Sequence, residues 1–242
     1  MKALNIVLFA VALPLMAICG CNSSPGRLAT ESAVLRPSQV LSFDTLYQQN
    51  CAGCHGDQGR GGAAIALNSA VYLKIVDDAT LRSVTSRGVS GTAMPAFAQS
   101  SGGMLTDEQV NAIVAGIRSR WSKQDSLSAT LPTYSATAPG DPQHGGGVYG
   151  AYCASCHGVA GRGGSHAGSI VDDSFLNLVS DQYLRTIVIV GRPELGAPDW
   201  RGNVPGQPMS QQDVADVVAW LSSQRGKVAI SSSTKSSTGG IQ

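Results

Sequence analysis

Two pentapeptides hold most of the chemistry open to this 242-residue chain, Cys51-Ala52-Gly53-Cys54-His55 and Cys153-Ala154-Ser155-Cys156-His157. Two thiols three positions apart can each add across a vinyl group on one edge of a porphyrin. The adjoining imidazole is then delivered to one face of the iron as its proximal ligand. The order therefore reads as a covalent haem address, with Cys51, Cys54, Cys153 and Cys156 as thioether anchors and His55 and His157 as iron ligands of two haem c groups. A zinc ligand pair, a redox dithiol and a disulfide compete for the same cysteines. Zinc needs four ligands per ion, and a redox dithiol needs neither the following His nor the repetition.

The repetition extends beyond the motif. Residue 153 lies 102 positions after residue 51, and at that offset Tyr47 pairs with Tyr149, Gly56 with Gly158, Gly59 with Gly161, Arg60 with Arg162, and Gly61-Gly62 with Gly163-Gly164. One residue of slippage pairs Leu81-Arg82 with Leu184-Arg185 and Gly88 with Gly191; one more pairs Val110, Ile113 and Ile117 with Val214, Val217 and Leu221. A unit of this length is a small domain rather than a solenoid repeat.

Helices separated by long loops are expected to carry the motifs. Leu46 and Tyr47 lie on a helix before the first haem motif. Thr106 followed by Asp107, Glu108 and Gln109 reads as an N-cap with an acidic first turn, and Val110, Ile113, Val114 and Ile117 form the apolar stripe of a helix over 106–120. Ser210 repeats the cap, and Val214, Val217, Val218 and Leu221 repeat the stripe.

With a Gly-rich loop and the segment Thr92-Ala93-Met94-Pro95-Ala96-Phe97 between those helices, the chain resembles class I cytochromes c over residues 40–121 and again over 142–225. The resemblance implies an all-α fold of two tandem domains, each wrapped around one covalently bound haem, with the first and last helices of each domain crossing. It also places Met94 as the sixth iron ligand of the first haem, with Met104 as another candidate on the same stretch. A thioether favours ferrous iron and raises the reduction potential.

In the second domain the corresponding stretch is Leu195-Gly196-Ala197-Pro198-Asp199-Trp200, and aligning the prolines sets Ala197 against Met94. Alanine cannot bind iron. Met209, His166 or His144, or a water-bound or open iron, remain as readings of the second site, although Met209 corresponds by register to Leu105. Arg60 and Arg162 could pair with haem propionates or stand as solvated loop charges, and Phe97 and Trp200 read as packing residues.

Composition supplies the setting. Lys2 precedes an apolar run from Ile6 to Ile18, broken by Pro14 and too short to span a bilayer comfortably, which reads as a signal-peptide core. Ile18-Cys19-Gly20-Cys21 resembles the bacterial lipobox, so residues 1–20 would be a lipoprotein signal and Cys21 the lipidated residue. Of six cysteines, four are then on haem and two in the leader region, with none left for a disulfide. Residues 21–39 read as a polar tether, 122–141 as a Pro/Ser/Thr-rich linker and 226–242 as a disordered tail. With 17 Lys and Arg against 16 Asp and Glu and no basic block, nucleic acid is not an expected partner.

These features lead to an exported, lipid-anchored dihaem cytochrome facing the periplasm or cell exterior. It would carry single electrons between a membrane quinol-oxidising complex or dehydrogenase and a terminal acceptor such as an oxidase, and it resembles the cytochrome subunits or carriers of bacterial respiratory chains. An electron carrier is favoured over an enzyme. The rival is a haem enzyme or gas sensor acting at an open iron in the second domain, for which only Asp199 and His166 offer acid/base groups.

Overall fold

The structure is a computed structural model that describes residues 35–122 and 130–227. The expected signal segment, Cys21, residues 22–34 of the expected tether, 123–129 of the expected linker and 228–242 of the expected tail lie outside the described residues. Among the described residues regular structure is wholly helical, with isolated β-bridges at Ala98–Leu105 and Arg192–Ala197. No helix among them is long and apolar enough to cross a membrane.

The first half contains α1 (Phe43–Asn50), α2 (Ala52–His55), α3 (Ala70–Ile75), α4 (Asp78–Arg87) and α5 (Asp107–Trp121). The second contains α6 (Pro142–Tyr152), α7 (Ala154–His157), α8 (Asp173–Leu176), α9 (Asp181–Val190) and α10 (Gln211–Ser222). The fold is thus all-α, in two tandem helical domains.

Local chemistry sets the helix ends. Thr106 Oγ1 accepts the Gln109 N–H at 3.2 Å while Gln109 Oε1 accepts the Thr106 N–H at 3.0 Å, a reciprocal cap that satisfies two donors the helix cannot pair itself. Ser210 and Asp213 repeat it at the start of α10, at 3.0 and 2.8 Å. Both apolar stripes face inward: Val110, Ile113, Val114 and Ile117 on α5, and Val214, Val217, Val218 and Leu221 on α10, are buried.

In each half the first and last helices pack together. Where α1 meets α5, Gly116 makes room for the Phe43 ring; where α6 meets α10, Gly145 lies directly against the Asp216 backbone carbonyl. Tyr47 stacks edge-on against Trp121, and Tyr149 lies face to face with Trp220 at 4.3 Å between centroids.

The halves share one core. A cluster running from Leu46, Tyr72 and Ile113 through Tyr149, Ile189 and Val217 crosses the junction, where α3 packs on α9. Residues 131–135, within the expected linker, are held along the second half. Arg185 donates from Nε and Nη2 to the Thr133 carbonyl and from Nε to that of Tyr134, Gln182 donates to Tyr134 O at 2.8 Å, and the Thr133 N–H donates to Gln211. Leu131 and Tyr134 pack on the shared core.

Candidate functional site

Each Cys-x-x-Cys-His occupies one short helix held against the helix before it. The Cys51 N–H donates to Tyr47 O at 2.8 Å, and one turn on, the His55 N–H donates to Cys51 O at 2.9 Å. The chain must then reverse, and Gly56, with φ of +80°, does this where a Cβ would collide with the Arg60 carbonyl. The buried Tyr47 donates its hydroxyl to Gly56 O at 2.7 Å, which pins the reversal. The second half repeats each element: Cys153 N–H to Tyr149 O at 2.9 Å, Gly158 with φ of +75°, and Tyr149 Oη to Gly158 O at 2.6 Å.

The ring of His55 is oriented by its Nδ1, which lies 2.8 Å from the carbonyl oxygen of Ile65. A carbonyl only accepts, so Nδ1 carries the proton and Nε2 keeps a free lone pair. His157 has the same relation to Gly168 O at 3.2 Å. Burial pushes the His55 pKa down, against a smaller upward pull from the Ile65 bond, so the ring is neutral and able to ligate at neutral pH.

The thiols distinguish between the competing chemistries. Burial, and then the neighbouring Cys54 or Cys156, push Cys51 and Cys153 up to about 11. Redox-active dithiols depend on the opposite shift, toward thiolate. The four motif cysteines form no disulfide, so their sulfurs are available for thioether bonds. Two free thiols and an oriented imidazole on each short helix fit a covalently attached haem.

The loops that follow α4 and α9 share a backbone frame. Gly88 ends α4, the next N–H (Val89) donates to Met94 O at 3.0 Å, and a Cβ on Gly88 would overlap the backbone of Met94–Ala96. Gly191 ends α9, the Arg192 N–H donates to Ala197 O at 2.8 Å, and a Cβ on Gly191 would overlap Pro198–Asp199. Ala197 thus has the backbone position of Met94. Met94 is half-buried, whereas Met104 is 82% exposed.

The other sequence candidates are dispersed. The Met209 N–H donates to Trp200 O as that of Leu105 does to Phe97 O, and both Met209 and Leu105 are buried in the core, so Met209 stands in the place of Leu105. His166 is exposed beside Ser165, and His144 pairs with Asp216 at 2.7 Å where α6 meets α10. Trp200 is buried with Arg201 over its ring, and Phe97 is half-buried. Arg60 and Arg162 are exposed; Arg60 borders a cavity of about 450 Å³ at the junction, with Ser69, Val190 and Glu194 among its walls.

Sequence reasoning missed the carbonyls of Ile65 and Gly168, and the Tyr47 and Tyr149 hydroxyls as pins. The carbonyls have no side-chain signature. The tyrosines did leave one, as a pair in the repeat.

A helical domain that follows its first helix with Cys-x-x-Cys-His on a short second helix, with the His tautomer fixed through Nδ1, is of the c-type cytochrome class. Residues 39–115 and 140–221 both match the family described as cytochrome c oxidase, cbb3-type, subunit III, and the chain belongs to that family. Its cytochrome c domains carry electron transfer as their function and covalently bound haem c as their cofactor. A chain of the reducing HAO-like protein complex of Kuenenia stuttgartiensis is similar in structure, with 18% identity and a TM-score of 0.45 over 76% of this chain and 95% of that one. No curated protein matches the chain.

Proposed function

We propose that the protein is a dihaem electron carrier, with one haem c held by Cys51, Cys54 and His55 and a second by Cys153, Cys156 and His157. The observation that supports this reading is the twofold occurrence of an Nδ1-tethered histidine beside two free thiols. Haem iron, when bound, supplies a one-electron couple, and the chain tunes it through its ligands and surroundings. His55 and His157 present Nε2, the carbonyls of Ile65 and Gly168 hold the rings in place, and Met94 offers a soft sulfur that favours the reduced state. Ala197 brings no donor, so the two sites differ in ligation. Met209 would have to leave the packed place of Leu105 to serve the second.

In this reading the partners are redox proteins: a quinol-oxidising complex or dehydrogenase as donor and a terminal oxidase as acceptor. The chain is exported and lipid-anchored through Cys21, facing the periplasm or cell exterior. Near-neutral charge suits docking through a small apolar patch rather than strong electrostatic steering.

The test is covalent haem content after expression with c-type haem maturation. The full chain should hold two haems, and the Cys51→Ser/Cys54→Ser and Cys153→Ser/Cys156→Ser variants one each. A chain without covalent haem, or a variant that still holds two, would refute the assignment. A Cys21→Ala variant should lose acyl label and membrane association while keeping both haems.

A further inference from the structure

We propose that Arg192 is a positioning residue that couples the two haem-binding halves, fixing the distal loop of the second against the proximal loop of the first. The inference rests on the dihaem reading above. Arg192 follows the glycine that ends α9, and its backbone brackets the distal position: its N–H donates to Ala197 O at 2.8 Å and its carbonyl accepts the Ala197 N–H at 3.0 Å. Its side chain leaves the domain. Nη2 donates to Gly62 O at 2.6 Å, Nη1 to Ala63 O at 3.3 Å, and Nε to Glu194 Oε1 at 2.6 Å.

The receiving loop is the one that shapes the first haem motif. Gly62 packs so closely on the Cys54 carbonyl that a Cβ would overlap it, and the Ala64 N–H donates to that same carbonyl at 2.9 Å. One residue further, Ile65 O holds His55 Nδ1. The guanidinium therefore grips two consecutive carbonyls between the thioether anchor and the carbonyl that orients the imidazole.

The planar fork of arginine suits this task, since it serves two carbonyls and a carboxylate at once, while an ammonium is a point charge without that geometry. Glu194 keeps the fork aimed, and the Arg192 side chain is only 14% exposed, so water competes weakly for its donors. The corresponding residue of the first half is Val89, which has the same backbone bond to Met94 but no donor to project. This guanidinium contact is thus a feature of the second copy, with no counterpart at Val89. A displacement of the second distal loop must pull on the first proximal loop, and the reverse.

The experiment uses the full haem-loaded chain with Arg192→Ala, Arg192→Lys and Glu194→Gln. Arg192→Ala should retain two haems, speed hydrogen exchange of segment 56–66 about tenfold or more, which corresponds to about 1.4 kcal/mol, and shift the midpoint potential of the first haem. Arg192→Lys should recover part of both effects, and Glu194→Gln should show a smaller version of each. Exchange over 56–66 and a first-haem potential both unchanged in Arg192→Ala would overturn the proposal. Failure of the dihaem reading would appear separately, as missing haem in the unmutated chain, and exchange would still test the strut. If Arg192→Ala does not fold, Glu194→Gln decides by the same two readouts.

Discussion

In the first half the chain reaches the distal loop with Met94 at its tip and Val89 at its root; in the second, the same backbone positions carry Ala197 and Arg192. The frame around them is unchanged. A positive-φ glycine ends the preceding helix, its neighbour's N–H closes on the carbonyl before a proline, and a buried residue returns the chain to a capped terminal helix. Backbone bonds and glycine packing define this loop, so its side chains are free to diverge. One copy carries a methionine sulfur at the tip, while the other has alanine there and, at the root, a guanidinium that reaches its neighbour. The segments around the two Cys-x-x-Cys-His motifs diverge far less: tyrosine, thiols, imidazole and reversing glycine all recur, with the tyrosine bonds at 2.7 and 2.6 Å and the imidazole tethers at 2.8 and 3.2 Å.

The largest effect should come from exchanging the distal residues. Met94→Ala should abolish the sulfur-to-iron charge-transfer band, lower the potential of the first haem and leave that iron open to exogenous ligands. The reciprocal Ala197→Met places a sulfur on the same backbone frame and should create a second such band. If Met94→Ala leaves the spectrum unchanged, Met94 is not the ligand. Met209→Leu, which installs the residue found at the equivalent position, should be spectroscopically silent if Met209 only packs.

A smaller effect separates the two helix pairs. At Gly145 an added methyl would meet the backbone carbonyl of Asp216, which cannot move without shifting α10; at Gly116 it would meet the Phe43 side chain, whose ring can rotate but whose Cβ, 2.7 Å away, still requires a small shift of α1. Gly145→Ala should therefore destabilise the protein by about 1–3 kcal/mol through overpacking, and Gly116→Ala by less. Denaturant unfolding of both variants measures the difference, and equal losses would show that the ring is as fixed as the backbone.

What the sequence revealed followed the range of the interaction. The Thr106 and Ser210 caps bond three residues away, and the stripes on α5 and α10 need only helical periodicity, so both could be read from the chain. The haem motifs were legible because covalent chemistry fixes their spacing. Pairing Gly88 with Gly191 was legible too, since backbone geometry demanded the same residue twice. Arg192 looked like any loop arginine, for its acceptors are backbone carbonyls 129 and 130 positions away, on a different domain. Arg185 was equally silent. Its repeat partner Arg82 is exposed, while Arg185 is buried under Thr133 and Tyr134, a difference created by a segment whose composition reads only as linker.

The smallest expected effect concerns how each half ties its entry segment to its terminal helix. The first uses a neutral side chain: Gln109 Nε2 donates to the carbonyls of Pro37 and Val40 at 2.8 and 3.0 Å. The second uses an ionisable pair, with Asp216 accepting from the Asp141 N–H, from Gln212 and from His144. Burial pushes the Asp216 carboxyl up, but those three bonds outweigh it and hold the group below its ordinary value of 3.8. The bond to Asp216 raises His144 above 6.5, with Asp213 and Asp141 adding to the pull. Because the folded His144 pKa is raised, its contribution is complete below 6.5 and is lost as pH rises through the higher folded value; because that of Asp216 is lowered, its contribution is present above 3.8 and is lost as pH falls through the lower folded value. Amide exchange should therefore show α6 losing protection as pH is raised past the His144 titration, after correction for the intrinsic rate, while α1 holds steady. His144→Gln should flatten the α6 response. If α1 and α6 respond alike, the loss is global and the His144–Asp216 pair does not govern it.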